Sequence, residues 1–200
     1  MRQLIDKYAW IQEYDTLAWT VAVIQGRTEP DVIAVYGGDP AESLESRPFD
    51  DAIVPDEDFG TWFYLQTVTA DTAVVAIENN GWTGTVPEIA RRATAAGGRF
   101  CSVHWNVEGR WRIVQANDGQ VTACFDVSMA ADGMDTFDKL PAWLDDADLS
   151  DDSLDATCLA ILEQQTGLAF EPSWLTVPLP TYRIPDPDVL LKDVENARLP

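Results

Sequence analysis

Apolar and polar positions along this chain change period several times, and each change marks an element. In LIDKYAWIQEY, Leu4, Ile5, Tyr8 and Ile11 fall on one side at helical spacing, which predicts an amphipathic helix. LAWTVAVIQG, from Leu17 to Gly26, is rich in β-branched residues and stops at glycine, as a buried strand does. TEPDVIAVYGG opens with Thr28 ahead of Glu29, Pro30 and Asp31 and closes on Gly37 and Gly38, which predicts a short capped helix.

The middle of the chain returns to strands. Trp62 to Thr67 and Ala73 to Glu78 read as a hairpin joined by a polar Thr-Ala-Asp-Thr connection. The second strand runs into AIENNGWTG, in which Asn80-Gly81 is a turn signal because both residue types tolerate positive φ. TVPEIARRATAAGG follows, with Thr85 and Glu88 spaced as a capping box and Gly97-Gly98 as the stop. Three further runs, RFCSVHWNV, RWRIVQAN and QVTACFDV, are separated by turn residues and predict a meander. DDSLDATCLAILEQQTG places Leu154, Cys158, Ile161 and Leu162 on one helical face. FEPSWLTVPLPTYRIPDPD carries proline too often for an interior strand or helix, which predicts an extended surface path anchored by Trp174 and Tyr182, with a short helix or tail near Val189 to Ala197. The expected fold class is α+β: an antiparallel sheet of about five or six strands with helices on one face. Residues 1–170 are expected to form a single domain and 171–200 a Pro-rich C-terminal arm packed on it.

Charge changes the functional picture more than the fold. Lys and Arg total 13 against 34 Asp and Glu, for a net charge of -21. Direct nucleic-acid binding through phosphate needs a basic stripe and is not expected. The acids cluster in DDAIVPDEDFG and DDADLSDDSLD, which suits a solvated surface, a face for a basic partner, or a mimic of nucleic acid. No apolar run is long enough to span a membrane and the N-terminus has no leader pattern, so the expected location is cytoplasmic. Cys101, Cys124 and Cys158 sit apart in apolar surroundings and are expected as free buried thiols.

YAWIQEY, TEPDVIAVYGGDP, the AIENNGWTGTVPEIARRATAAGG block, SVHWNV and DATCLAILEQQTGLAFEP together resemble an uncharacterised, mainly actinobacterial family of small acidic proteins, a domain of unknown function. The Glu-Asn-Asn-Gly-Trp strand-to-helix block is the most specific part of the likeness. The resemblance covers most of the chain and implies no particular activity. The C-terminal arm and the degree of acidity look like this chain's own elaboration.

Searched for chemistry, the sequence lacks a phosphate loop, a nucleophile elbow and a zinc helix. No cofactor is expected, and since His104 is the only histidine a zinc site would have to be assembled from it and from cysteines in buried contexts, so no metal is expected either. DDADLSDDSLDAT fails as a calcium loop, because Asp151 stands where the sharp turn needs glycine and Thr157 where a bidentate Glu is needed. The leading expectation is a non-catalytic, immunity- or inhibitor-like protein that binds a basic protein partner through acids that include Asp145, Asp146, Asp148, Asp151 and Asp152. The alternatives are a small-ligand site or enzyme built from Glu78, Asn79, Asn80, Trp82 and His104, and a nucleic-acid mimic.

Overall fold

A computed structural model of the chain describes residues 1–14, 18–131, 140–146, 149 and 153–200. Its helices are α1 (Arg2–Lys7), α2 (Glu29–Val35), α3 (Pro87–Thr94), α4 (Val127–Ala131), α5 (Leu154–Thr166), α6 (Ser173–Thr176) and α7 (Pro187–Leu190). Its strands are β1 (Ala18–Gln25), β2 (Leu44–Arg47), β3 (Trp62–Ala70), β4 (Ala73–Asn79), β5 (Arg99–Asn106), β6 (Trp111–Asn117), β7 (Gln120–Asp126) and β8 (Leu179–Pro185). All are antiparallel neighbours in one sheet of order β2-β8-β3-β4-β1-β5-β6-β7. The class is α+β, as the periodicity predicts, and the hairpin and meander lie where expected.

Three expectations need correction. The sheet has eight strands rather than five or six. Helices also cover both of its faces. One face packs Trp19, Val21 and Ile77 against Tyr8 after α1 and against α5; the other packs Ala22, Ile24 and Ala76 against α2 and α3. Strands buried on both sides have no reason to alternate, and β4, AVVAIEN, is buried along its whole length. Finally, the Pro-rich segment is not a surface arm, because β8 lies inside the sheet between β2 and β3. Its prolines fall where the ladder needs no donor: Pro178 precedes the strand, Pro180 faces the register shift in β2, and Pro185 is the last residue.

Local signals explain the ends of the elements. Thr28 and Asp31 cap α2 reciprocally, Thr28 Oγ1 accepting from Asp31 N and Asp31 Oδ2 from Thr28 N. α5 ends on Gly167, whose φ of 74° closes the helix in the left-handed region. The capping box expected of Thr85 and Glu88 does not form. Thr85 closes a 3-10 turn, Thr83–Thr85, by donating to the Trp82 carbonyl at 2.8 Å, while Glu88 pairs with Arg91 and Arg92. The three cysteines are free and buried.

Candidate functional site: a polar row ending in a cleft

Strand register places one polar residue from each of five strands in a single transverse row. Glu78 on β4 pairs with Thr20 on β1, Thr20 with His104 on β5, His104 with Arg112 on β6, and Arg112 with Asp126 on β7. Directly paired residues share a face, so these side chains stand together on the α3 side of the sheet. Burial falls along the row: Glu78, Thr20, His104 and Asp126 are buried and Arg112 is half-buried.

At the Glu78 end the row holds a loop. Glu78 Oε2 accepts Thr83 N and Oε1 accepts Gly84 N, both at 2.8 Å. Thr20 Oγ1 donates to the Gly81 carbonyl at 2.7 Å, and Ser102 Oγ donates to the Gly84 carbonyl at 2.7 Å. Asn80, at φ 58°, donates its backbone N–H to Ala18, and Thr85 N and Oγ1 both donate to Trp82. The Asn-Gly-Trp stretch is therefore a turn whose backbone groups are gripped by buried side chains. Burial drives the Glu78 carboxyl up to about 7 against the opposing pull of its backbone donors. The Tyr36 hydroxyl, buried beside Gly84, is pushed well up by burial and by Glu78.

His104 links that clamp to a cleft. The single proton of Thr20 goes to the Gly81 carbonyl, so Thr20 accepts from His104 Nδ1 at 2.9 Å. This network assigns the Nδ1–H tautomer and leaves Nε2 with a lone pair. Burial, reinforced by Arg112 and Arg110 and opposed by the Trp19 carbonyl and Asp126, lowers His104 to about 4, so the ring is uncharged at neutral pH. The ring lines a cleft of about 770 Å³ whose walls include Asn80, Trp82, Arg110, Arg112 and Met129, within the size range of small-molecule sites.

The expected site residues divide accordingly. Asn80, Trp82 and His104 meet at the cleft. Glu78 lies beneath the loop rather than in the cleft, and its partners are Thr83 N and Gly84 N. Asn79 faces away: strand alternation turns it to the opposite side, where Nδ2 donates to the Phe49 carbonyl at 2.9 Å. Asp145 and Asp146 end a 3-10 segment, Ala142–Asp146, and Asp148, Asp151 and Asp152 lie outside the described residues. Thr20, Ser102, Arg112 and Asp126 escaped the sequence reading. Their signal is polar residues two apart in apolar runs, as in Ser102-Val103-His104. Among the described residues no group of three or more His, Cys, Asp and Glu could hold a metal ion.

A family model described as a family of unknown function, DUF6461, matches residues 1–177. The chain belongs to this family. Searches of curated proteins and of solved structures found no match to it. The DUF6461 match contains the whole polar row and the Asn80–Thr85 loop. It stops just before β8, so in this chain a strand beyond the DUF6461 region completes the sheet. No helix among the described residues is long and apolar enough to cross a membrane.

Proposed function

We propose that the protein binds a small organic ligand in the cleft where the polar row meets the Asn80–Thr85 loop. The observation that carries this reading is the row itself. Five polar side chains stand in register on the face that elsewhere packs α2 and α3, and His104, Arg112 and Asp126 at its far end line an open concavity. Burying polar groups there costs stability that apolar residues would not, and such costs concentrate at functional sites. His104 offers a neutral acceptor, Asn80 an amide, and Trp82 an aromatic wall that is fixed from behind by the Arg198 guanidinium 4.8 Å from its ring centre. The cleft is read as a binding site, without a catalytic role for any of its groups.

A melting screen of small polar and aromatic compounds tests this. A true ligand at about one hundred times its Kd stabilises the fold by about 3 kcal/mol, and replacing His104 with Asn should remove the shift. Hits that stabilise the His104→Asn variant equally would sink the reading.

A second reading, a face for a basic protein partner, is favoured by one feature of the described surface. Asp50, Asp51, Asp56 and Glu57 are exposed around Ile53 and Phe59, which are themselves 41% and 56% exposed. Acid around apolar side chains suits a basic, partly apolar surface.

A further inference from the structure

We infer that the cleft takes a small organic anion, with a carboxylate or phosphate head at Arg112 and Arg110 and an apolar or aromatic body over Trp82 and Met129. This rests on the cleft reading above and adds the sign of the ligand.

The fold has already used some of the polar groups at the cleft and left others unengaged. Asp126 is the acid buried at the cleft, and its Oδ1 accepts Ser128 N at 3.1 Å, Ser128 Oγ at 2.7 Å and Met129 N at 3.4 Å, capping α4. Asn106 Oδ1 accepts Glu108 N at 3.1 Å and Arg110 N at 3.2 Å, which fixes the β5–β6 turn and leaves the amide nitrogen as its remaining function. Glu108 is exposed on that turn, at the rim of the same cleft. Asp126 Oδ1 and Asn106 Oδ1 are thus tied into the fold, while His104 Nε2, the Asn80 amide and Glu108 at the rim remain as acceptors.

The donors are not tied in. Arg112 Nη2 meets Cys124 Sγ at 2.8 Å, but a guanidinium carries five N–H donors in a planar fork and one thiol cannot fill it. Arg110 makes no side-chain hydrogen bond or ion pair among the described residues. Two of the chain's 13 basic residues therefore converge beside an uncharged imidazole on one cleft, in a protein of net charge -21. The depression of His104 points the same way, because Arg112 and Arg110 act on the ring more strongly than Asp126. The cleft lining holds two acids, Glu108 and Asp126, beside Arg110 and Arg112, so its formal charge is balanced; what favours an anion is that Asp126 is engaged at Oδ1 as a helix cap while the two guanidinium forks keep unused donors. Guanidinium forks match carboxylate and phosphate geometry.

The test titrates 15N-labelled protein, observed at the Trp82 indole and the His104 ring, with four aromatic probes of similar size. Phenyl phosphate and benzoate are anionic, benzyl alcohol is neutral and benzylamine is cationic. The expected result is anion binding about tenfold tighter than that of the alcohol, the order of a charge-assisted contact, with phenyl phosphate against benzoate distinguishing the head group. Arg110→Gln combined with Arg112→Gln should bring the anions down to the alcohol's affinity, and Arg112→Lys should retain part of the preference. Equal binding of alcohol and anions by wild type would overturn this inference and leave the cleft reading standing. Silence of both reporters toward all four probes would overturn both.

Discussion

Glu78 and His104 should make opposite and nearly cancelling contributions to the pH dependence of stability, and removing either should unmask the other. The folded chain holds the Glu78 proton up to about 7, whereas an unfolded glutamate releases it at its ordinary value of 4.5. Between those values the folded state binds the extra proton, so this group's stabilisation is present below 4.5 and is lost as pH rises toward 7. His104 runs the other way. Unfolded, it binds a proton below 6.5; folded, only below about 4. Its contribution is present above 6.5 and is lost as pH falls toward 4. At about 1.4 kcal/mol per pH unit, each group accounts for about 3 kcal/mol between pH 4.5 and 6.5, with opposite signs.

Urea unfolding at closely spaced pH values reads this directly. In wild type the pair leaves a nearly level background. Glu78→Gln presents an amide N–H₂ where one of two backbone donors needs an acceptor, so it starts about 1–3 kcal/mol less stable at low pH. The stability of this variant relative to wild type should then rise by about 3 kcal/mol by pH 7. With an m-value of about 2 kcal/mol/M, its urea midpoint gains roughly 1.5 M on that of wild type. His104→Gln should show the reverse, losing ground to wild type by about 3 kcal/mol between pH 4 and 6.5. Because each variant is compared with wild type, the many surface acids cancel. Variant curves that run parallel to wild type across this range would refute the assignment of both groups.

Other consequences are sharper in outcome and simpler to measure. Alanine at Gly84 would put a Cβ 3.0 Å from both Thr20 Cγ2 and Tyr36 Oη, and at Gly81 2.8 Å from Glu78 Oε2; each should cost about 1–3 kcal/mol in urea unfolding, and an unchanged midpoint would mean the loop is not gripped as described. Ending the chain at residue 177 deletes β8 with its buried Leu179, Tyr182 and Ile184. At about 1.5–3 kcal/mol per side chain this approaches the whole stability of a domain, so the shortened protein should lack cooperative unfolding by calorimetry; a sharp transition would show β8 to be dispensable. For the basic-partner reading, a pull-down at low and high salt should retain a basic protein on wild type and release it with salt, and converting Asp50, Asp51 and Asp56 to Asn and Glu57 to Gln should weaken retention; salt-insensitive retention would count against it.

The sequence carried more of this architecture than its periodicities suggest. β1 and β4 announce two-sided burial, since Trp-Thr-Val-Ala-Val-Ile and Ala-Val-Val-Ala-Ile hold no solvent face, and helices on both sides follow from that alone. β2 is different: Leu-Glu-Ser-Arg is largely exposed, and it is a strand only because β8 is beside it. β8 was hidden by its prolines, whose tolerance depends on which N–H groups the neighbours require, a fact of pairing rather than of composition. The site was half legible for the same reason. Asn80, Trp82 and His104 stand out as residue types, but the row that joins Glu78, Thr20, His104, Arg112 and Asp126 exists only in the register of five strands. One residue of slip would scatter it across both faces.

That dependence on register bears on why the loop is built from polar contacts at all. A loop in this position has backbone donors at Thr83 and Gly84 that an apolar residue at 78 could not satisfy, and water is excluded there. A carboxylate reaches both with two oxygens, at the expense of burying a group that prefers to be neutral. Thr20 and Ser102 secure the carbonyls of Gly81 and Gly84 in the same manner. Ordering a backbone costs about 1–2 kcal/mol per residue; here that cost is met on folding, so a ligand entering the cleft meets Asn80, Trp82 and Thr85 already in place. The facing turn, with exposed Val107 and Glu108 held chiefly through Asn106, is the less constrained wall. A cleft with one rigid wall and one adaptable wall should draw its shape selectivity from the gripped side, while Arg112 and Arg110 set the charge it accepts; Glu78, buried and out of any ligand's reach, is expected to influence binding only through the loop it holds.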